Sequence, residues 1–129
     1  MTLLVDTHCW LWLTTSPERI GSRAMKKLKD ERNELLLSAA SAWEIAIKYS
    51  IGKLALPVPP AELLPRLMAE TKTSPLAVQH SHALRIAQLP NHHTDPFDRL
   101  LIAQAQIEGI PIVTHDEQFK RYDVTVIQA

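Results

Sequence analysis

"TLLVDTHCWLWLTT", residues 2–15, holds the reading on which the fold turns. Leu3, Leu4 and Val5 form a continuous apolar run that stops on a charge at Asp6. A strand with one wet face alternates apolar and polar residues, whereas a strand buried on both faces of a parallel sheet reads as an unbroken run. The segment therefore predicts a first strand ending at Asp6, with "THCWLWLTT" following as a helix.

Working outward, the same alternation of strand and helix repeats. Pro17 and Gly21 punctuate the way to "SRAMKKLKDERN" (22–33), a charged helix with Ala24, Met25 and Leu28 as its thin apolar stripe. "ELLLS" (34–38) predicts a second strand, and "SAWEIAIKYSIGKL" (41–54) a helix with Gly52 near its end. Prolines 57, 59 and 60 mark a turn before "AELLPRLMAE" (61–70), which Pro65 is expected to kink or divide. "SPLAV" (74–78) reads as a weaker third strand, and "QHSHALRIAQL" (79–89) as a helix that Pro90 ends. In "DPFDRLLIAQAQIEG" (95–109), Pro96 opens a helix that Gly109 closes. "IPIVT" and "VTVIQ" complete the strand set. The expectation is one α/β domain over residues 1–129: three layers, α/β/α, around a mostly parallel sheet of about five strands joined by right-handed crossovers.

Bulk properties agree with a single domain. A chain of 129 residues that is 46% hydrophobic supports one real core and is short for two. Zero formal net charge gives no overall electrostatic footprint for nucleic acid or an anionic membrane. One cysteine, Cys9, forms no internal disulfide, which suits a reducing cytoplasm. The amino terminus lacks a basic segment, and Asp6 and His8 interrupt its apolar run, so neither a signal peptide nor a membrane helix is expected.

In open parallel sheets the functional crevice lies outside the carboxyl ends of the strands. Asp6 follows the first strand directly, and Asp116 follows "IPIVT" by two residues. Glu44 falls in the first turn of the helix leaving the second strand, and Asp98 in the first turn of a helix that precedes its strand. Each acid has a structural explanation. Asp6 or Thr7 suits a helix cap, Ser41 and Glu44 match a capping box, Asp95 suits an N-cap with Asp98 at N3, and Asp116 suits a turn. Capping alone does not require carboxylates to converge on one sheet edge, where their repulsion costs stability. A hard divalent cation such as Mg²⁺ or Mn²⁺ takes oxygen ligands and resolves that repulsion. With it, the chemistry that fits is phosphodiester hydrolysis, and a strict dependence on metal follows.

Four segments in order, "LLVDTH", "SAWEIAIK", "DPFDRLLIAQA" and "IPIVTHDEQF", resemble the PIN-domain family of metal-dependent ribonucleases, and most closely the VapC-like toxins of bacterial toxin-antitoxin pairs. The resemblance spans nearly the whole chain. It implies an endoribonuclease acting on RNA, with Asp6, Glu44, Asp98 and Asp116 as the catalytic acids that bind Mg²⁺ or Mn²⁺. Asp6 and Asp98 are then the closest ligands, and Glu44 and Asp116 orient water or hold a second ion. Asp95 lies outside that quartet. The resemblance further implies a homodimer neutralised by a small antitoxin protein that covers the cleft.

Other features carry less. The six histidines have neither the spacing nor the cysteines of a structural zinc site. Arg19, Arg23, Lys26, Lys27, Lys29 and Arg32 concentrate positive charge that could guide an RNA backbone, but Asp30 and Glu31 interrupt it, so a solvated helix face is the expectation. Arg99 is placed to contact a phosphate or to balance the acids, and His115 beside Asp116 to touch substrate. Trp43, Ile45, Ile47, Tyr49 and Ile51 put apolar residues all round one helix, which either packs on two sides or faces a partner. A haloacid-dehalogenase-type site wants a second Asp two residues after the first, where this chain has His8. The rival from another class is a non-catalytic interaction module whose acids serve only as caps.

Overall fold

The computed structural model describes residues 1–129. Five strands, β1 (Thr2–Val5), β2 (Glu34–Ser38), β3 (Thr73–Leu76), β4 (Ile112–Thr114) and β5 (Val126–Gln128), form one sheet in the order β3-β2-β1-β4-β5, every pair parallel. Six helices cover it: α1 (Thr7–Thr15), α2 (Ser22–Lys29), α3 (Ala39–Ser50), α4 (Pro60–Glu70), α5 (His80–Arg85) and α6 (Pro96–Glu108). The expected three-layer arrangement is the observed one.

The unbroken apolar run of β1 is explained by where its side chains go. Leu3 and Val5 enter one core with Cys9, Trp10, Ala24, Leu28, Ile45 and Leu64, contributed by α1 to α4. Leu4 enters the core on the other face with Leu101, Ile102, Ile112 and Phe119. β4 divides the same way, Val113 to the first core and Ile112 to the second. Both faces are dry, so polar alternation has no place in either strand. Leu100 to Ala105 of α6 are all buried, and full burial of a residue such as Leu101 stabilises the fold by about 1.5–3 kcal/mol.

Several boundaries differ from the expectation. α2 ends at Lys29 because Asp30 turns the chain, its carboxylate taking the Arg32 guanidinium through Nε (3.0 Å) and NH2 (2.8 Å). α3 begins at Ala39, capped by Ser38, whose hydroxyl accepts from the Ala40 amide at 3.0 Å. The Ser41–Glu44 capping box therefore does not form, and Glu44 stands in the second turn rather than the first. Pro65 lies inside α4 without dividing it. β3 spans Thr73–Leu76, one residue earlier than expected at its start and two shorter at its end, and its Pro75 is tolerated because β3 is an edge strand.

The strand order places a topological switch point at β1. The chain moves from β1 outward to β2 and β3, then returns across the sheet to β4 on the other side of β1. A crevice opens where neighbouring connections diverge, outside the carboxyl ends of β1 and β4. α6 turns at Gly109 directly into β4 and packs back antiparallel to it. Its amino end thus lies at the carboxyl edge of the strands although it precedes its strand. α6 precedes β4, and Asp98 in its first turn reaches the crevice for that reason.

Candidate metal centre

Asp6 leaves β1 directly and is 3% exposed. Its Oδ1 caps α1 by accepting from the Cys9 amide at 2.8 Å, while its Oδ2 accepts from the Thr114 hydroxyl at the end of β4. The Thr114 Oγ1 in turn accepts from the Asp116 amide at 3.0 Å, so one hydroxyl links the acid after β1 to the acid after β4. Asp116 repeats the division of labour. Oδ1 accepts from the Gln118 amide at 2.9 Å and caps a short 3-10 turn, while Oδ2 lies 2.9 Å from His93 Nε2. Asp95 is the N-cap of α6, its Oδ1 accepting from the amides of Phe97 (2.8 Å) and Asp98 (3.2 Å). Capping and convergence are therefore compatible: a cap occupies one oxygen and aims the other.

Asp98 caps nothing. Its side chain is 19% exposed, and its Oδ2 lies 3.1 Å from His93 Nε2. Burial pushes its carboxyl up to about 8, helped by the negative charges of Asp95, Asp6, Glu44 and Asp116. The charges that add to its burial are those of four other carboxylates. Burial also works to raise Asp116, but the Gln118 amide and the His93 ring outweigh it and hold that carboxyl below the usual range.

Glu44 is 2% exposed. Its Oε2 pairs with Lys48 Nζ at 2.6 Å, one turn along α3. Its Oε1 is buried with no hydrogen-bond partner. A buried carboxylate oxygen left without a donor is costly, and a cation is one way to satisfy it. Beside it, the Thr7 hydroxyl donates to Ser41 Oγ at 2.8 Å, joining the first turns of α1 and α3. The donor set of hard carboxylate oxygens, the orphaned Oε1 and the crowded Asp98 together fit a small divalent cation.

His93 is the functional candidate that sequence reading missed. Its Nδ1 accepts from the Asp95 amide at 3.1 Å, so the neutral ring carries its proton on Nε2, which faces both Asp98 and Asp116. The ligating atoms of His93, Asp98 and Asp116 all lie within 4.8 Å of one another. Asp6, Cys9 and His115 form a second group at the same spacing. Burial, then the charge of Asp6, raises the Cys9 thiol far above its ordinary range, which makes it a packed neutral thiol rather than a ligand.

Two further expectations are revised. Arg99 is neither a free phosphate contact nor a counter-ion of the acids. Its guanidinium donates to the carbonyls of Pro90 (3.0 Å) and Ile86 (3.2 Å) and braces the loop that carries His92 and His93. On α3, Ile45 is buried while Trp43 and Ile51 are 60% and 58% exposed, so the helix packs inward and also presents apolar side chains to solvent. Trp43 meets Phe97 of α6 edge to face, with centroids 5.2 Å apart, at the rim beside Glu44 and Asp98. A cavity of about 600 Å³ opens near Glu34 and Lys72, at the amino-terminal edge of the strands, away from the acids. Convergent chemistry rather than concavity locates the site.

The model of the PIN domain matches residues 3–124. Ribonuclease VapC22 of Mycobacterium tuberculosis (strain ATCC 25618 / H37Rv) is 28% identical over 122 residues, covering 94% of this chain and 92% of that protein. Ribonuclease VapC16 of the same strain is 56% identical over 55 residues, a match that spans 43% of this chain and 39% of that protein's length. Among solved structures, that of VapBC2 from Rickettsia felis bound to a DNA fragment from their promoter aligns with a TM-score of 0.76 and 14% identity, over 99% of this chain and 98% of that one.

Proposed function

This chain belongs to the PIN-domain family, and on that premise we propose that it is a divalent-metal-dependent endoribonuclease, the toxin of a toxin-antitoxin pair. The single observation that carries the reading is Asp98. Its carboxyl caps no helix, is largely buried, and is raised to about 8 by burial and by Asp95, Asp6, Glu44 and Asp116. A module whose acids served only as caps has no use for such a group.

Asp6 and Asp98 would hold the Mg²⁺ or Mn²⁺, and the buried, unpartnered Oε1 of Glu44 would be a further oxygen donor. A divalent cation bound there neutralises charge on the RNA phosphate and lowers the pKa of the attacking water. The chain's own groups do the positioning. Thr114 fixes the Asp6 carboxylate plane through Oδ2, and the α1 cap fixes Oδ1. His93 Nε2 donates to Asp116 and lies 3.1 Å from Asp98, which sets the two carboxyls side by side, and Lys48 offsets the charge of Glu44. The ribonuclease names of the two relatives support RNA as the substrate. Trp43, Ile47 and Ile51, at i, i+4 and i+8 of α3, give a small antitoxin or a second copy of the chain an apolar stripe to cover. No helix is long and apolar enough to cross a membrane.

The test is cleavage of single-stranded RNA by wild type, Asp6→Asn and Asp98→Asn, with Mg²⁺ or Mn²⁺ and with chelator. Wild type cleaves only with metal, and neither variant cleaves although both keep native circular dichroism. Cleavage that survives in both variants, or in chelator, would falsify the reading.

A further inference from the structure

A polyanion approaching this crevice meets five carboxylates, and even with a metal bound its phosphates on either side of the cut need positive charge. The cations beside the acids are almost all committed within the fold. Lys48 is paired with Glu44, Arg99 is spent on carbonyls, and His93 sits between Asp98 and Asp116. Arg19 is the exception. Its guanidinium carries no hydrogen bond or ion pair and lies 4.5 Å over the ring of Trp12. Trp12 in turn packs on His115 with centroids 4.5 Å apart, and His115 meets His8 edge to face at 6.2 Å. The inner end of this row touches the acidic centre, since a His115 ring nitrogen lies within 4.8 Å of an Asp6 carboxylate oxygen. His8, Arg19 and His115 are exposed, and Trp12 is half-buried.

We propose that Arg19, seated over Trp12 and continued by His115, is the subsite that binds a phosphate of the RNA strand away from the scissile bond. The inference rests on the ribonuclease reading and adds to it the direction in which the strand leaves the acids. Its contact with the Trp12 ring restrains the exposed guanidinium, whose donors have no partner within the fold, so less side-chain freedom is lost when a phosphate accepts from them. The exposed His115 ring, braced by Trp12, offers a sequence-tolerant surface to a neighbouring base. Arg19 touches no reacting atom. It is a binding residue, and its loss acts on KM and on salt dependence.

Cleavage of a single-stranded RNA, and binding of a 2′-deoxy oligonucleotide of the same sequence, are measured from about 50 to 200 mM salt for wild type, Arg19→Gln, Arg19→Lys and Lys72→Asn. Lys72 lies at the opposite sheet edge with φ of 53°, a backbone conformation that Asn tolerates. Arg19→Gln raises KM and the dissociation constant about five- to tenfold and makes the slope of log affinity against log salt shallower by about 0.7. Its kcat stays within about twofold of wild type. Arg19→Lys keeps the wild-type slope, because the charge remains, with an intermediate KM; Lys72→Asn behaves as wild type. An unchanged slope and KM in Arg19→Gln, while wild type cleaves RNA with metal, overturns this inference and leaves the ribonuclease reading standing. A loss in Arg19→Gln confined to binding a protein partner overturns it as well. A wild-type protein that neither cuts nor binds RNA overturns both.

Discussion

Asp98 carries the sharpest consequence at the scale of one residue. Its carboxyl sits at about 8 in the folded chain against an ordinary value of 3.8, so folding favours its protonated form. Without divalent ions the folded state accordingly keeps its full share of stability below about pH 4 and loses it as pH rises toward 8. Thermal melts of wild type in chelator from pH 5 to pH 9 are expected to fall more steeply than those of Asp98→Asn, and added Mn²⁺ at pH 8 to raise the wild-type midpoint. In the same variant cleavage drops by more than about 100-fold, beyond the loss that follows when only a ligand's supporting partner is removed. His93→Ala tests the residue that sequence reading passed over. It leaves Asp116 without its proton donor and removes the ring beside Asp98, and cleavage is expected to fall about 10- to 100-fold in a metal titration whose midpoint also shifts. His93 was illegible beforehand because nothing periodic marks it. Its role comes from Asp116, 23 residues later, and from an amide two residues on.

Among the elements, α6 shows how local chemistry places a functional group. Asp95 caps the helix, Pro96 opens it and Asp98 follows at N3, all as the sequence suggests. Asp95→Ala is expected to cost about 0.5–2 kcal/mol in denaturant unfolding and to reduce cleavage as Asp98 loses its fixed helix end, while Asp95→Ser, itself a good cap, restores both. Gly109 ends α6 in the left-handed region at φ 65°, and an alanine there is strained for want of that freedom. The start of α3 was harder to read. Ser38 and Ser41 are both acceptable caps, and the capping-box spacing to Glu44 favours the second. Ser38 prevails because it is also the last residue of β2, so the helix begins as soon as the sheet ends. The consequence is that Glu44 moves a turn deeper and becomes buried. Asp98 posed the opposite difficulty, since its helix precedes its strand, and only the antiparallel packing of helix on sheet brings it to the right edge.

For the molecule as a whole, dry faces on both sides of β1 and β4 made the architecture readable from unbroken apolar runs, whereas the joining of the acids depends on strand order, which no run encodes. Leu101→Ala, in the core on the α6 face, is expected to destabilise the fold by about 2–5 kcal/mol by urea titration. A β1 that is made first yet finds one of its two neighbours last also sets a timetable. The contact of Thr114 with Asp6 joins positions 108 residues apart in sequence. At ordinary translation speeds that interval lasts on the order of ten seconds, during which Asp6 waits without its partner. A nascent chain halted before β4 holds an unfinished sheet and no assembled acid cluster. A chain cut short there keeps Asp6, Glu44 and Asp98 but lacks Asp116 and the Thr114 hydroxyl that ties Asp6 to the far side of the switch point.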